Sequence, residues 1–211
     1  SVDGGKKFKN MGLKESRQIG DIIIDPRNSD VVFVAAEGSA WGSGGERGLY
    51  KTTDGGENWK VVLEISENTG VNNVAFDPRN PDVMYATSEQ RRRHVNTKIG
   101  GGPESAFYKS TDGGENWRKV TTGLPSGHVG GMGLAVSPVN PDYVYLIIEA
   151  QGKTGGFFRS TNRGETWKKM SDHTSSGQYY NEIYCDPKDV DKVFSVETYT
   201  HYTLDGGKTW T

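Results

Sequence analysis

Three glutamates recur at one place in a repeating frame. Glu37, Glu89 and Glu149 each fall seven residues after an aspartate (Asp30, Asp82 and Asp142), and a fourth, Glu197, comes one residue early after Asp191. Carboxylates repeated in this way could form an acidic arc that takes a cation, a cationic peptide or a sugar. Two that face each other are what glycoside hydrolysis requires. The alternative is that each caps loop N–H groups or pairs with a basic neighbour. One residue beyond the second glutamate begins Arg91-Arg92-Arg93-His94, opening the longest loop, residues 90–106. Long loops are frequent seats of function, and arginines grip carboxylates or phosphates bidentately. Alternation along an extended chain turns Arg91 and Arg93 one way and Arg92 the other. A single three-arginine pocket is therefore not expected, and pairing with the glutamates or solvation is the competing role. Trp41, Tyr179 and Tyr180 could stack on a sugar ring, grip a peptide, or pack in the core.

Other chemistry is poorly supported. His94, His128, His173 and His201 stand alone at unrelated spacings, and no metal-ligand pattern joins them. Gly100-Gly101-Gly102 and Gly130-Gly131 follow no strand-to-helix pattern, so no phosphate cradle is expected and no cofactor is implied. The single cysteine, Cys185, excludes an internal disulfide and reads as a small core residue in Ile183-Tyr184-Cys185.

The elements that must position these side chains announce themselves by repetition. Thr52-Thr53-Asp54-Gly55-Gly56-Glu57-Asn58-Trp59 returns as Ser110 to Trp117, as Ser160 to Trp167 with Asn162 in the aspartate place, and as Thr203 to Trp210 around Asp205. Ser1 to Phe8 is a fifth copy, with Asp3 in the aspartate place and Phe8 in the tryptophan place. A second pattern alternates with the first: Asp25-Pro26-Arg27-Asn28-Ser29-Asp30 and its counterparts starting at Asp77, Ser137 and Asp186, spaced 52, 60 and 49 residues apart. Each unit is thus about 50 residues. Before every proline turn lies a short apolar run, such as Ile22-Ile23-Ile24 or Leu134-Ala135-Val136, suited to a strand buried on both faces. In the other turn Asp54 can accept its own backbone N–H groups, Gly55 and Gly56 can take positive φ, and Trp59 can plug the gap between strands. Asn162 keeps the carbonyl acceptor, so its turn should survive.

Four antiparallel strands per unit, repeated radially, are a β-propeller. The units fall at about 19–63, 71–121, 131–170 and 181–211, with residues 1–10 as the last strand of a preceding blade. The whole of 1–211 is one propeller region. A closed four-blade ring is possible, but an open arc belonging to a larger ring is the expectation. Composition agrees: 33% hydrophobic residues, 29 glycines, five tryptophans and ten tyrosines fit many short strands and turns. A net charge of −2 offers no basic field for nucleic acid, and no apolar run approaches the ~20 residues that span a bilayer.

The form Ser/Thr-x-Asp-x-Gly-x-x-Trp resembles the bacterial neuraminidase repeat, or Asp box, carried by sialidases, xyloglucanases, sortilin-type receptor domains and photosystem assembly factors. With Asp-Pro-Arg-Asn-Pro-Asp-Val between boxes, the chain most resembles bacterial exported proteins of the sortilin/Vps10-like type, often labelled glycosyl hydrolase. The segments from Gly42 to Trp59 and from Arg91 to Trp117 carry this most strongly. The resemblance implies structural Asp boxes at Asp3, Asp54, Trp59, Asp112, Trp117, Asn162, Trp167, Asp205 and Trp210, and a secreted or periplasmic address. Function then belongs to the loop face, opposite the boxes. A sialidase is not expected, because the Arg-Ile-Pro signature is missing and the arginines cluster in one run. Three readings remain: a module binding a peptide, protein or glycan, a glycoside hydrolase using Glu37, Glu89 and Glu149, and a structural module that positions other domains.

Overall fold

The computed structural model describes residues 1–175 and 181–211, which contain sixteen strands in four antiparallel sheets and no helix. The first sheet is β1 (Ile19–Ile24), β2 (Val32–Ala36), β3 (Gly48–Thr52) and β4 (Lys60–Leu63), paired in that order. The second holds β5 (Thr69–Asp77), β6 (Asn80–Arg93), β8 (Phe107–Ser110) and β9 (Arg118–Val120), with β7 (Lys98–Gly100) paired to the far end of β6. The third is β10 (Val129–Val136), β11 (Val144–Ala150), β12 (Gly156–Ser160) and β13 (Lys168–Ser171). In the fourth, β14 (Glu182–Cys185), β15 (Val193–Val196) and β16 (Thr200–Thr203) are present. There the fourth strand is reduced to Thr211, whose backbone exchanges bonds with Tyr202. These are the blades of a β-propeller, stacked side by side in an arc that does not close.

The residues 90–106 are not the plain loop expected. β6 runs on to Arg93, turns at His94–Thr97 and returns as β7, with Arg91 opposite Gly100 and Arg93 opposite Lys98. The alternation Val95-Asn96-Thr97-Lys98-Ile99 carries that ribbon.

The core lies between sheets. Tyr85, Phe107, Leu146 and Ile148 are fully buried between the second and third, and Tyr145, Ile147 and Phe157 between the third and fourth. Each such side chain contributes about 1.5–3 kcal/mol by leaving water. Tryptophans of the aspartate turns pack across to the preceding sheet. Trp167 meets Phe107 edge-on at 4.9 Å, and Trp210 meets Phe157 in the same way at 4.9 Å. Gly114 combines φ of 80° with a close approach, since a Cβ there would stand 2.7 Å from the Phe33 ring. The expectation of burial on both faces holds for β10 but not for β1 or β14. Ile22 and Ile24 are 58% and 57% exposed and Tyr184 is 56% exposed, because the outer faces of the first and last sheets have no neighbouring sheet.

The two kinds of turn share one end of every blade. Gly55, Gly113, Arg163 and Gly206 each donate a backbone N–H to the last aspartate carbonyl of the adjoining turn, at 2.9–3.0 Å. The loops joining second to third strands, and one blade to the next, fall at the other end.

Candidate functional site

At the turn end most of the repeated carboxylates are engaged. Asp54 Oδ1 accepts the Asn58 N–H at 2.9 Å and the Thr52 hydroxyl at 2.7 Å, while Oδ2 accepts the Asn58 side-chain amide. These bonds, the backbone one first, hold its pKa down at about 2. The Asn116 amide does the same for Asp112 and the Thr209 N–H for Asp205, both also at about 2. Asp3 accepts the N–H groups of Lys6 and Lys7. Asn162 accepts from Thr166 at 3.0 Å and donates to its hydroxyl, so the asparagine turn does survive. Ion pairs then step from blade to blade: Lys51 to Glu115, Lys109 to Glu165, Arg159 to Asp191, Arg27 to Asp82, Arg79 to Asp142. Asp77, with no exposed side-chain area, lies between Arg79 and Arg163.

The loop end is built differently. The segment from Glu37 to Arg47 joins β2 to β3 and is fastened from within by Arg47, which is 6% exposed. Its guanidinium donates to the carbonyls of Gly44 (2.9 Å), Glu37 (2.6 Å), Ser39 (2.5 Å) and Gly42 (2.5 Å). Four bonds from one planar group make this loop rigid, and they present Trp41 to solvent at 64% exposure. Trp41 borders an open recess of about 480 Å³ whose polar walls are Glu15, Arg17, Gln18 and Ser39. The Arg93 N–H, donating to the Ala40 carbonyl at 2.7 Å, ties the β6–β7 ribbon to this loop.

Arg91 and Arg92 diverge, as alternation requires. Arg91 pairs with Glu37 and reaches Gln18 at 2.9 Å, whereas Arg92 turns to Asn68 at 2.5 Å. His94 is exposed at the ribbon tip. Tyr179 and Tyr180 lie outside the described residues.

Of the three glutamates, Glu89 feels the charges of the other two. Glu89 is 8% exposed, and its pKa is pushed up to about 7, chiefly by burial. Arg91 and Lys98 oppose that shift, while the charges of Glu37 and Glu149 add to it. Burial also raises Glu37, against the pull of Arg91 and Arg47. Glu89 Oε1 and Glu149 Oε2 are buried with no hydrogen-bond partner. Glu149 lines a recess of about 380 Å³ together with His128, Gln151, Gly100, Gly101 and Gly130. Glu197 stands elsewhere, 3.9 Å from His201.

Some participants were not signalled by the sequence. Nothing local marks Arg47, Lys98 or the Gly130 wall as parts of a site. Asp21 and Glu182 line a groove of about 700 Å³ along the inner strands with Asn73 and Leu134, and burial raises the pKa of both. Nor do the histidines all stand alone. His173 and His201 lie 5.4 Å apart, and His173 stacks on Trp210 at 4.0 Å. Both belong to the junction of the third and fourth blades, which spacing could not reveal. Cys185 is half-buried at that same junction, where burial raises its thiol.

The sequence model of a family described as sortilin, neurotensin receptor 3, matches residues 1–129. No curated protein matches the chain. Among solved structures it is similar to an ancestral GH74 enzyme (TM-score 0.63, 20% identity, 92% of this chain and 25% of that one). It is also similar to the GH74 xyloglucanase from Xanthomonas campestris (0.63, 14%, 90% and 28%). A third is YCF48 from Cyanidioschyzon merolae (0.55, 19%, 96% and 58%). The chain therefore spans about a quarter of the length of the two GH74 structures. At these identities the likeness is one of fold.

Proposed function

This chain belongs to the sortilin-Vps10 family, and on that premise we propose that it is a ligand-binding propeller module which recognises a peptide, protein or glycan on its loop face without turning it over. The observation that carries this reading is Trp41. Its large apolar ring is left 64% exposed. The loop that carries it is held by four bonds from a buried arginine, so it is pre-organised for contact and binding costs little ordering entropy. The neighbouring recess supplies charged and amide groups of both signs, which suits a mixed polar ligand. The Asp boxes serve the fold. The address is outside the cytoplasm, secreted or periplasmic, on the strength of the family resemblance. The test is to screen the chain against peptide and glycan arrays and titrate the hits onto Trp41→Ala. Recognition on this face requires a loss of affinity of at least tenfold, and undiminished binding by the variant overturns it.

A second reading, a glycoside hydrolase acting on polysaccharide, is favoured by one observation. Buried Glu89 keeps its proton up to about pH 7 near the ionic Glu37–Arg91 pair, as a general acid beside a carboxylate would. Release of reducing ends from a polysaccharide panel that Glu89→Gln abolishes would select it. No release selects binding.

A further inference from the structure

The loop that carries Trp41 is wrapped around a cation, and that fixes which way its backbone faces. The carbonyls of Glu37, Ser39, Gly42 and Gly44 all point inward at the Arg47 guanidinium. In a trans peptide the N–H lies opposite the C=O, so the N–H groups of Gly38, Ala40, Ser43 and Gly45 point away from Arg47. None of these four meets an acceptor among the described residues, whereas Trp41 N–H donates to Ser39 Oγ and Gly44 N–H to the Glu67 carbonyl. Ser43 and Gly45 are exposed, and Ser39 to Gly45 form one continuous wall of the recess beside Trp41. Unpaired N–H groups on a loop of left-handed glycines make an anion-binding concavity, and Gly44 and Gly45 have φ of 72° and 75°. Behind that wall Arg47 is a buried charge whose acceptors are carbonyls, since the Glu37 carboxylate is turned to Arg91. Gly42 is a second sign. Its φ is not left-handed and a Cβ there would meet nothing within 4 Å, so neither conformation nor packing calls for glycine. A bare backbone at that point keeps the recess open to an occupant.

We propose that the ligand of the Trp41 face is an acidic glycan, with a pyranose ring on the indole and its carboxylate or sulfate on the N–H groups of Ser43 and Gly45. This deepens the binding reading given above and rests on it. A pyranose offers a flat face of C–H groups to an exposed indole. An anionic group carried on that ring stands beside the stacked face, as Ser43 and Gly45 stand beside Trp41 in the loop. Backbone N–H groups bond an oxyanion more strongly than a neutral acceptor. The one carboxylate among the lining residues, Glu15, is paired with Arg17 at 3.0 Å, so an entering anion meets no unpaired negative charge in the wall. The hydroxyls of Ser39 and Ser43 are at hand for those of the sugar. An aspartate or glutamate of a peptide carries the same charge on a flexible stem but has no flat face for the indole.

The experiment titrates trigalacturonate, its full methyl ester, sulfated cellotriose and plain cellotriose into the chain, followed by NMR shifts of the Ser43 and Gly45 amides and the Trp41 indole. Saturation by the uronate or by the sulfated sugar is expected, with a Kd on the order of 0.1–1 mM, and the one that saturates identifies the anion. The methyl ester and plain cellotriose should bind at least tenfold more weakly, and the anionic sugar should weaken as salt is raised. Gly42→Val places its side chain in open space, so its melting temperature should match the parent's while affinity falls at least tenfold. Four outcomes overturn the proposal: equal affinity for charged and neutral sugars, no saturation by either anionic sugar, parental affinity in Gly42→Val, or tighter binding of an acetylated and amidated Gly-Asp-Gly peptide. A Trp41-dependent peptide or neutral glycan in hand, with no anionic sugar bound, sinks the acidic-glycan assignment alone. The absence of any Trp41-dependent ligand sinks the reading on which it rests.

Discussion

The two ends of the blades treat the same chemical group in opposite ways. At the turn end Asp54, Asp112 and Asp205 each collect backbone and side-chain donors, and Asp77 is shut between two arginines. Their pKa values fall, to about 2 for the three in the turns. At the loop end Glu89 is buried as deeply as a core residue, yet one of its oxygens has no donor and its pKa rises to about 7. One end uses carboxylates as fasteners, and the other leaves an oxygen of Glu89 and one of Glu149 without a donor. Satisfied polar groups stabilise a fold, and unsatisfied ones mark where a partner would find something to do.

The strongest way to break the contrast is to remove a fastener. Asp77→Ala should cost about 2–3 kcal/mol, because it removes the charged acceptor of the Arg79 N–H and of the guanidiniums of Arg79 and Arg163. A urea midpoint unchanged from the parent's would contradict that. Next comes the opposite sign at the loop end. The folded pKa of Glu89 lies above its ordinary 4.5, so the fold binds the extra proton between about pH 4.5 and 7 and loses stability as pH rises through that window. Glu89→Gln should therefore stabilise the protein at pH 8 by roughly 2 kcal/mol and change little at pH 4.5. Thermal melts at both pH values decide it. For the turn aspartates the sign reverses. Their depressed pKa values give stability that is present above about pH 4 and lost as pH falls toward 2.

A smaller effect sharpens the account of the turns themselves. Asp112→Asn should cost about 1 kcal/mol, since the new amide would face the Asn116 amide. Adding Asn116→Thr should recover most of it by reproducing the Asn162–Thr166 pair. A double variant no more stable than the single would show the two turns to be unlike. The smallest expected effect on stability belongs to Trp41→Ala. Its exposed ring contributes little to the fold, so the melting temperature should stay within about 2 °C while ligand affinity collapses.

Much of the turn end was legible in the sequence because its physics is local. Asp54, Gly55, Gly56 and Trp59 sit within one hairpin, and their repetition gave both the fold and the blade spacing. The recurring glutamates were also legible by register, and the divergence of Arg91 and Arg92 by strand alternation. The β6–β7 ribbon was missed because Gly100-Gly101-Gly102 reads as a breaker and masks the alternation before it. The isolation of Glu89 Oε1 was not legible at all. It depends on which groups from the β2–β3 loop, β7 and β11 act on Glu89, and no window of sequence contains them together. Arg47 shows the same limit, since its acceptors are carbonyls, which every residue has.

The most direct test of the division between the ends is a single ¹³C NMR titration of the labelled side-chain carboxyls, following Glu89 together with Asp54, Asp112 and Asp205. The account predicts Glu89 near 7 and the three aspartates near 2 in the same sample. Glu89 titrating near 4.5 alongside the surface glutamates would contradict it, for the loop end would then hold no unsatisfied buried charge.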